Sequence, residues 1–284
     1  MDVETYGSAD AAIDYINLDS ADAIMAKVRE LKQVNLRGKH MLSKQEFRNK
    51  LEETLSKRLT LDHPVLQEMA KPKKNLPLVS KMGLQAFHLT RAFTGYLGMI
   101  YSHCPIQKSR VALAVNLYEE ETGALSKTAN HMELMERFIL ALGLTKDQIE
   151  KEVPLPTTID LIEYRRRLCD NPQTLHMGAA AVMIASEGQS LETKAGKTKD
   201  QLIPELYGLK PADLAFFAVH AAEDVYHVND GLDLVSDLCT TEKMQREAIE
   251  SVEGTCDRFW RFFDGIQTAY EAAGDTLSEQ AAAA

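Results

Sequence analysis

A net charge of −10 spread over 284 residues argues against nucleic-acid binding, which needs a basic surface, and the lysines Lys71, Lys73 and Lys74 flank Pro72 as a loop would. No run of about 18 apolar residues is present, so no membrane span is expected. The acidic first twenty residues also lack the apolar block of a secretory signal. Cys104, Cys169, Cys239 and Cys256 stand far apart with no C-x-x-C pair, which points to reduced thiols in a cytoplasmic protein and away from a zinc cage.

Residues 1–40 read as a partly ordered N-terminal extension, with a short helix capped at Ser20 and running to Leu31. Ser43 heads the next helix, whose buried stripe is Phe47, Leu51, Leu55 and Leu59. Asp62-His63-Pro64 is a helix start in which His63 serves as an N-terminal hydrogen-bonding residue. Pro77 opens a long helix through Leu84, Phe87, Phe93, Leu97 and Ile100 to Tyr101, halted by Cys104-Pro105; His88 and His103 are single histidines outside any site.

From 108 to 142 the apolar positions Val111, Leu113, Leu117, Met135, Phe138 and Leu142 keep helical spacing, with Gly143 as the stop. Glu120 and His131 interrupt that pattern. Eleven residues apart, they return to within about 20° of one direction on a helical wheel, with Gly123 as a candidate break between them. Because Glu119, Glu120 and Glu121 are consecutive, either Glu120 or Glu121 could be the inward residue. A linker over 144–156 contains a short acidic helix. Thr157 to Cys169 is amphipathic through Ile159, Leu161, Ile162, Tyr164 and Leu168, with Arg165-Arg166-Arg167 expected on the outside in surface salt bridges.

Asn171-Pro172 starts a helix over His176 to about Lys194. Its small residues Gly178 to Ala181 allow close helix approach or leave room for a ligand, and Glu187 lies on the stripe of Ala180 and Met183; Lys194 is expected to be solvated. Residues 196–211 read as a loop. The helix begun by Pro211 carries His220, Asp224 and His227 at i, i+4 and i+7 on the face shared by Leu214, Phe217, Gly231, Leu234 and Leu238. Thr241 starts a last long helix with the apolar stripe Ile249, Val252, Cys256, Phe259, Phe263, Ile266 and Tyr270, ahead of a frayed tail at 276–284. With no alternating strand pattern, the expected fold is all-α, a bundle of about seven to nine helices forming one domain over 41–275.

Burying two histidines and a carboxylate unpaired would cost several kcal/mol, and a metal ion is the usual compensation for that residue set. Pooled over the chain, the polar interruptions are Glu120, His131, Glu187, His220, Asp224 and His227. Oxygen and nitrogen ligands from several helices, with no thiolate, suit a dinuclear non-haem iron or manganese site. Ferritin-like bundles use two Glu-x-x-His pairs, whereas this chain has a single carboxylate version, Asp224-x-x-His227. A pocket beside the site would be apolar, lined by Tyr118, Ala180, Met183 and Phe217.

The run from Asn116 to Gly123, followed by His131, Leu134, Phe138 and Ala141-Leu142-Gly143, resembles the haem-oxygenase-like di-metal oxidases and oxygenases. His63-Pro64, Glu187 and His220-x3-Asp224-x2-His227 stand in the order of that superfamily, and the resemblance spans about residues 45–265. It is nearest to the chlamydial death-domain-associating group and its relatives, in which the first Glu and His are seven apart, or about ten in other branches; the eleven here roughly keep the helical phase of seven. The resemblance implies the haem-oxygenase-like helical fold and six metal ligands at the positions above. It implies two Fe(II) ions, with Mn/Fe as the alternative pair, and O2 as co-substrate. The implied reaction oxidises an amino acid, fatty acid or aromatic acid by N-oxygenation, oxidative decarboxylation or C–C cleavage. Some relatives instead consume one of their own tyrosines, and Tyr118 and Tyr226 lie near the ligands in sequence. An external electron donor and a homodimer are implied by the same analogy. The competing readings are a metal-independent enzyme of the thiaminase or quinone-cofactor-synthase type on the same fold, and a non-catalytic helical interaction protein.

Overall fold

Ser43 caps the first helix as its position suggests: its hydroxyl accepts from the Glu46 amide at 3.3 Å while the Glu46 carboxylate accepts from the Ser43 amide at 2.9 Å. The computed structural model describes residues 41–69, 71, 75–189 and 207–282, with side chains through 274. The helix expected from Ser20 to Leu31, Lys194 and residues 196–206 lie outside the described residues. Ten α-helical segments and no strand occur among those described.

Helix α1 (Lys44–Ser56) buries Phe47, Leu51 and Leu55 but ends before Leu59, which is extended and leads into a 3-10 turn, Thr60–Asp62. His63 stands ahead of α2 (Pro64–Met69), its Nδ1 accepting from the Val65 amide at 3.1 Å. Asn75 caps α3 (Leu76–His103), the central helix against which α4 (Gln107–Thr122), α5 (His131–Ala141) and α7 (Pro156–Asp170) all pack. The short α6 (Lys146–Lys151) joins α5 to α7 and buries Ile149.

The helical spacing over 108–142 is broken at the candidate position, Gly123, and two helices result. Gly123 closes α4 at φ +62°, in the left-handed region, and a Cβ there would stand 2.2 Å from the Ala129 carbonyl oxygen. Asn130 then caps α5, its side chain accepting from the Glu133 amide at 2.8 Å. Glu120 and His131 therefore sit at the end of one helix and the start of the next, and a loop, not helical phase, sets their spacing.

Helix α8 (Leu175–Ala179) does not continue as a regular helix. It widens into a π-helical segment, Ala180–Ser186, and tightens into a 3-10 turn, Glu187–Gln189. Here the small residues serve close packing. A Cβ on Gly178 would meet the Leu168 carbonyl at 2.9 Å, and one on Gly231 would meet Met183 Cβ at 2.7 Å. The 3-10 turn Pro211–Leu214 leads into α9 (Ala215–Leu238), and α10 (Glu242–Ala282) runs past residue 275, where the sequence suggests a frayed tail.

The triple arginine is not uniformly outward. Arg166 and Arg167 are exposed, Arg166 pairing with Glu163 at 2.7 Å, but Arg165 is 2% exposed. It lies four residues from Leu161 and from Cys169, both fully buried, so it belongs to the inner stripe of α7. Among the described residues two apolar clusters make up the core. One is built around Phe47, Leu97, Val182 and Val252, the other around Val79, Phe138, Leu161 and Phe262. All four cysteines are free and buried, and no helix among the described residues is long and apolar enough to cross a membrane.

Candidate metal centre

The six polar interruptions assemble into two groups of three. Glu120 from the end of α4, His131 from the start of α5 and His220 from α9 each offer a ligand atom, all within 4.8 Å of one another. Glu187, from the turn after the π-helical segment, does the same with Asp224 and His227 of α9. His131 Nδ1 lies 2.7 Å from Glu120 Oε2, and the rings of His131 and His220 are 4.6 Å apart. In the second group His227 Nδ1 is 3.4 Å from Asp224 and 3.6 Å from Glu187.

Neighbouring groups hold these side chains in place. The Phe216 carbonyl can only accept, so the 2.7 Å contact with His220 Nδ1 makes that nitrogen the donor and leaves Nε2 with its lone pair. A metal-binding histidine is ordinarily oriented in this way. Asn116, one turn before Glu120, donates to Glu187 Oε1 at 3.2 Å and so ties α4 to the second group. The consecutive glutamates divide their work: Glu120 is buried in the first group, while Glu121 is exposed and does not take part. Glu119 is buried too, but it accepts from the Leu125 amide at 2.7 Å, from the Ser126 amide at 3.2 Å and from the Ser126 hydroxyl. It thereby folds the loop that delivers His131.

Electrostatics in the metal-free site favour protons on two imidazoles. Burial opposes charge on His227, yet its contacts with Asp224 and Glu187 carry its pKa up to about 11. His131 follows the same logic: burial pulls its pKa down, and the Glu120 contact outweighs it and raises the group. Burial, reinforced by the positive His131, holds His220 below the usual histidine range. Burial also works against charge on Glu187, but His227 keeps its carboxyl below the usual range. Glu120 Oε1 and His131 Nε2 are buried with no hydrogen-bond partner. Hard oxygen and imidazole nitrogen donors left unsatisfied in the interior are what a cation such as iron would satisfy, so the residues fit such a group.

Glu120, Glu187 and His220 face a cavity of about 210 Å³ whose wall is otherwise largely apolar, with Phe216, Phe217, Phe259, Phe262 and Phe263 prominent. Of the four pocket residues expected from sequence, Phe217 lines it. Tyr118 is 53% exposed, outside the cavity, because it lies on the outer face of α4. Ala180 and Met183 are core residues, and at Met183 the close approach of α9 at Gly231 leaves no space beside the helix. Sequence reasoning assigned no role to Asn116, although it precedes Glu120 by one turn, and missed Arg165, Ser186 and Gln189 in the cavity wall.

Solved structures agree with the expected fold. A domain of unknown function from Shewanella denitrificans, described as having a heme oxygenase-like fold, superposes with a TM-score of 0.63 at 16% identity, covering 82% of this chain and 95% of that one. A TenA homolog from Pseudomonas syringae pv. tomato gives 0.65 at 16% identity, covering 79% and 92%. The bundle is thus a haem-oxygenase-like helical protein. The family model described as iron-containing redox enzyme matches residues 83–260, and the chain belongs to that family of oxidoreductases. It is also 26% identical over 234 residues to the 4-aminobenzoate synthase of Nitrosomonas europaea, covering 79% of this chain and 92% of that protein.

Proposed function

We propose that this protein is a non-haem di-iron oxidase or oxygenase that uses O2 to oxidise a small organic acid bound in the cavity. The observation that carries the reading is the pair of buried carboxylate–imidazole triads sharing α9 and facing one cavity. Glu120, His131 and His220 would hold one iron, and Glu187, Asp224 and His227 the other. Two Fe(II) ions, or a Mn/Fe pair, would supply the reducing equivalents and open coordination positions that O2 chemistry requires. The chain's own residues do the rest. Asn116 and the Phe216 carbonyl orient Glu187 and His220, and the phenylalanine wall keeps bulk water away from the reacting face.

The name of the Nitrosomonas relative supports an aromatic acid among the candidate substrates or products. Tyr118 and Tyr226 are 53% and 72% exposed, so neither is positioned as a substrate, and the cavity favours an external molecule. An external electron donor, a homodimer and a cytoplasmic location belong to the same proposal.

Anaerobic loading with Fe(II) should give close to two irons per chain, and admission of O2 should bring rapid uptake with a transient visible absorption. His220→Ala and Asp224→Ala variants that kept full metal content and full O2 consumption would refute the assignment. Turnover insensitive to chelators would favour a metal-independent enzyme on this fold, and a reloaded chain that takes up no iron would favour a non-catalytic interaction protein.

A further inference from the structure

Among the described residues Arg165 is the one large cationic side chain in the cavity wall, and its surroundings are unusual for a guanidinium. It is fully enclosed on α7. Its Nε donates to the Leu161 carbonyl at 3.3 Å and Nη1 to the Ser186 hydroxyl at 3.2 Å. The Tyr96 and Phe259 rings lie 5.0 and 5.5 Å from its central carbon. Nη2 is buried without a partner, and no carboxylate among the described residues forms an ion pair with it. Two neutral acceptors, two π faces and the nearby Tyr96 hydroxyl are weak compensation for a buried charge, and removing a guanidinium from water without a counter-charge costs several kcal/mol. Arginine also cannot escape by losing its proton, because its pKa lies too high.

We infer that Arg165 is the carboxylate anchor of the substrate site: its guanidinium, unpartnered at Nη2, receives the anionic end of an otherwise apolar acid. A planar fork with a free Nη2 suits a carboxylate, which pairs with guanidinium through short charge-assisted hydrogen bonds. The apolar body then lies against Phe259, Phe262 and Phe263, which line the same cavity. Ser186, the partner of Nη1, immediately precedes Glu187, so the anchor is tied to the backbone that carries a candidate metal ligand. Glu120, Glu187 and His220 line the same cavity, so the distal atoms of an acid held there by its charged end share the space that these ligands face. The anchoring needs no metal; only the claim that the distal atoms are the ones oxidised rests on the di-iron reading.

The test is binding of benzoate and hexanoate against their neutral amides, benzamide and hexanamide, by titration calorimetry on the full chain. Both the metal-free and the anaerobic Fe(II)-loaded protein are titrated. The wild type is expected to prefer each acid to its amide at least tenfold in both states, equivalent to about 1.4 kcal/mol. Arg165→Gln should abolish that preference while leaving amide affinity and iron content unchanged. Arg165→Lys, which keeps the charge but loses the fork, should retain part of it, and Ser186→Ala should weaken it several-fold. These last two variants decide the matter if the glutamine variant does not fold. An equal affinity for acid and amide in the wild type, or an undiminished preference in the variants that fold, overturns the proposal. So does a preference seen only after iron loading, which would assign the carboxylate to the metal. Failure to bind iron with an intact acid preference would instead sink the di-iron reading alone.

Discussion

Replacing Gly231 by alanine sets two effects against each other whose sizes can be compared. Gly231 lies within α9, four residues beyond His227, and helix propensity alone favours alanine there by about 1 kcal/mol. The tertiary structure opposes it. The new Cβ would stand 2.7 Å from Met183 Cβ and 3.1 Å from both the carbonyl carbon and oxygen of Met183. Those atoms are backbone or next to it, so no rotamer change relieves the contact, and α9 must move from the π-helical segment by several tenths of an ångström. Overpacking of this kind costs about 1–3 kcal/mol, and contact with backbone belongs at the upper end. The net expectation is a loss of about 1–2 kcal/mol, or a Tm lower by about 2–6 °C in a domain of this size. The same displacement separates Asp224 and His227 from Glu187, so iron per chain should fall as well. Urea unfolding of the metal-free protein, with metal analysis after loading, measures both. Gly95→Ala is the control: its added Cβ has no atom within 4 Å, so propensity acts alone and the variant should match or exceed wild-type stability. A Gly231→Ala protein as stable as the Gly95→Ala variant, with two irons, would show that the close approach has no energetic weight.

Gly123→Ala should be destabilised by at least about 1 kcal/mol, from the left-handed φ of +62° and the collision with the Ala129 carbonyl; because that loop delivers His131, loaded iron should fall below wild type by metal analysis. Glu120→Gln should lose metal while Glu121→Gln keeps it, and equal iron contents in the two would undo the assignment of the inward glutamate. Fe(II) affinity should rise with pH, because the contacts with Asp224, Glu187 and Glu120 hold protons on His227 and His131 that the metal must displace; proton release on loading, read with an indicator dye, checks this. The sign for stability of the metal-free chain is the reverse. The raised His227 pKa contributes stability that is fully present below the ordinary histidine value and fades as pH rises through about 11, so Tm of the metal-free chain should fall from pH 7 towards pH 10, less so once iron is bound.

Most helices could be read from local pattern because their causes are local. Ser43 with Glu46, Pro64 after His63, and the glycine at 123 act through backbone hydrogen bonds and φ angles a few residues away, and they act the same way in the folded chain. The expectations that failed depended on what lies opposite. Arg165 belonged to a basic triplet that suggested a surface, yet Leu161 and Cys169 on its own stripe placed it inside. For the small-residue stretch around Ala180 and Met183 the pattern allowed either close helix approach or room for a ligand, and the approach of α9 to Met183 at Gly231 decided for packing. Nothing in the residues 180–186 announced a π-helical segment.

By itself the sequence determined that His220, Asp224 and His227 share one helical face, because a rise of 1.5 Å per residue at 3.6 residues per turn leaves no other arrangement. Only the tertiary structure decided that they serve two different groups. His220 and His227 are separated by about 10 Å along the helix axis, a distance that spans two neighbouring sites. Which partners each meets depends on where α4, α5 and the turn after the π-helical segment end in space. Those positions follow from the packing of elements distant in sequence, and no periodicity within one segment encodes them.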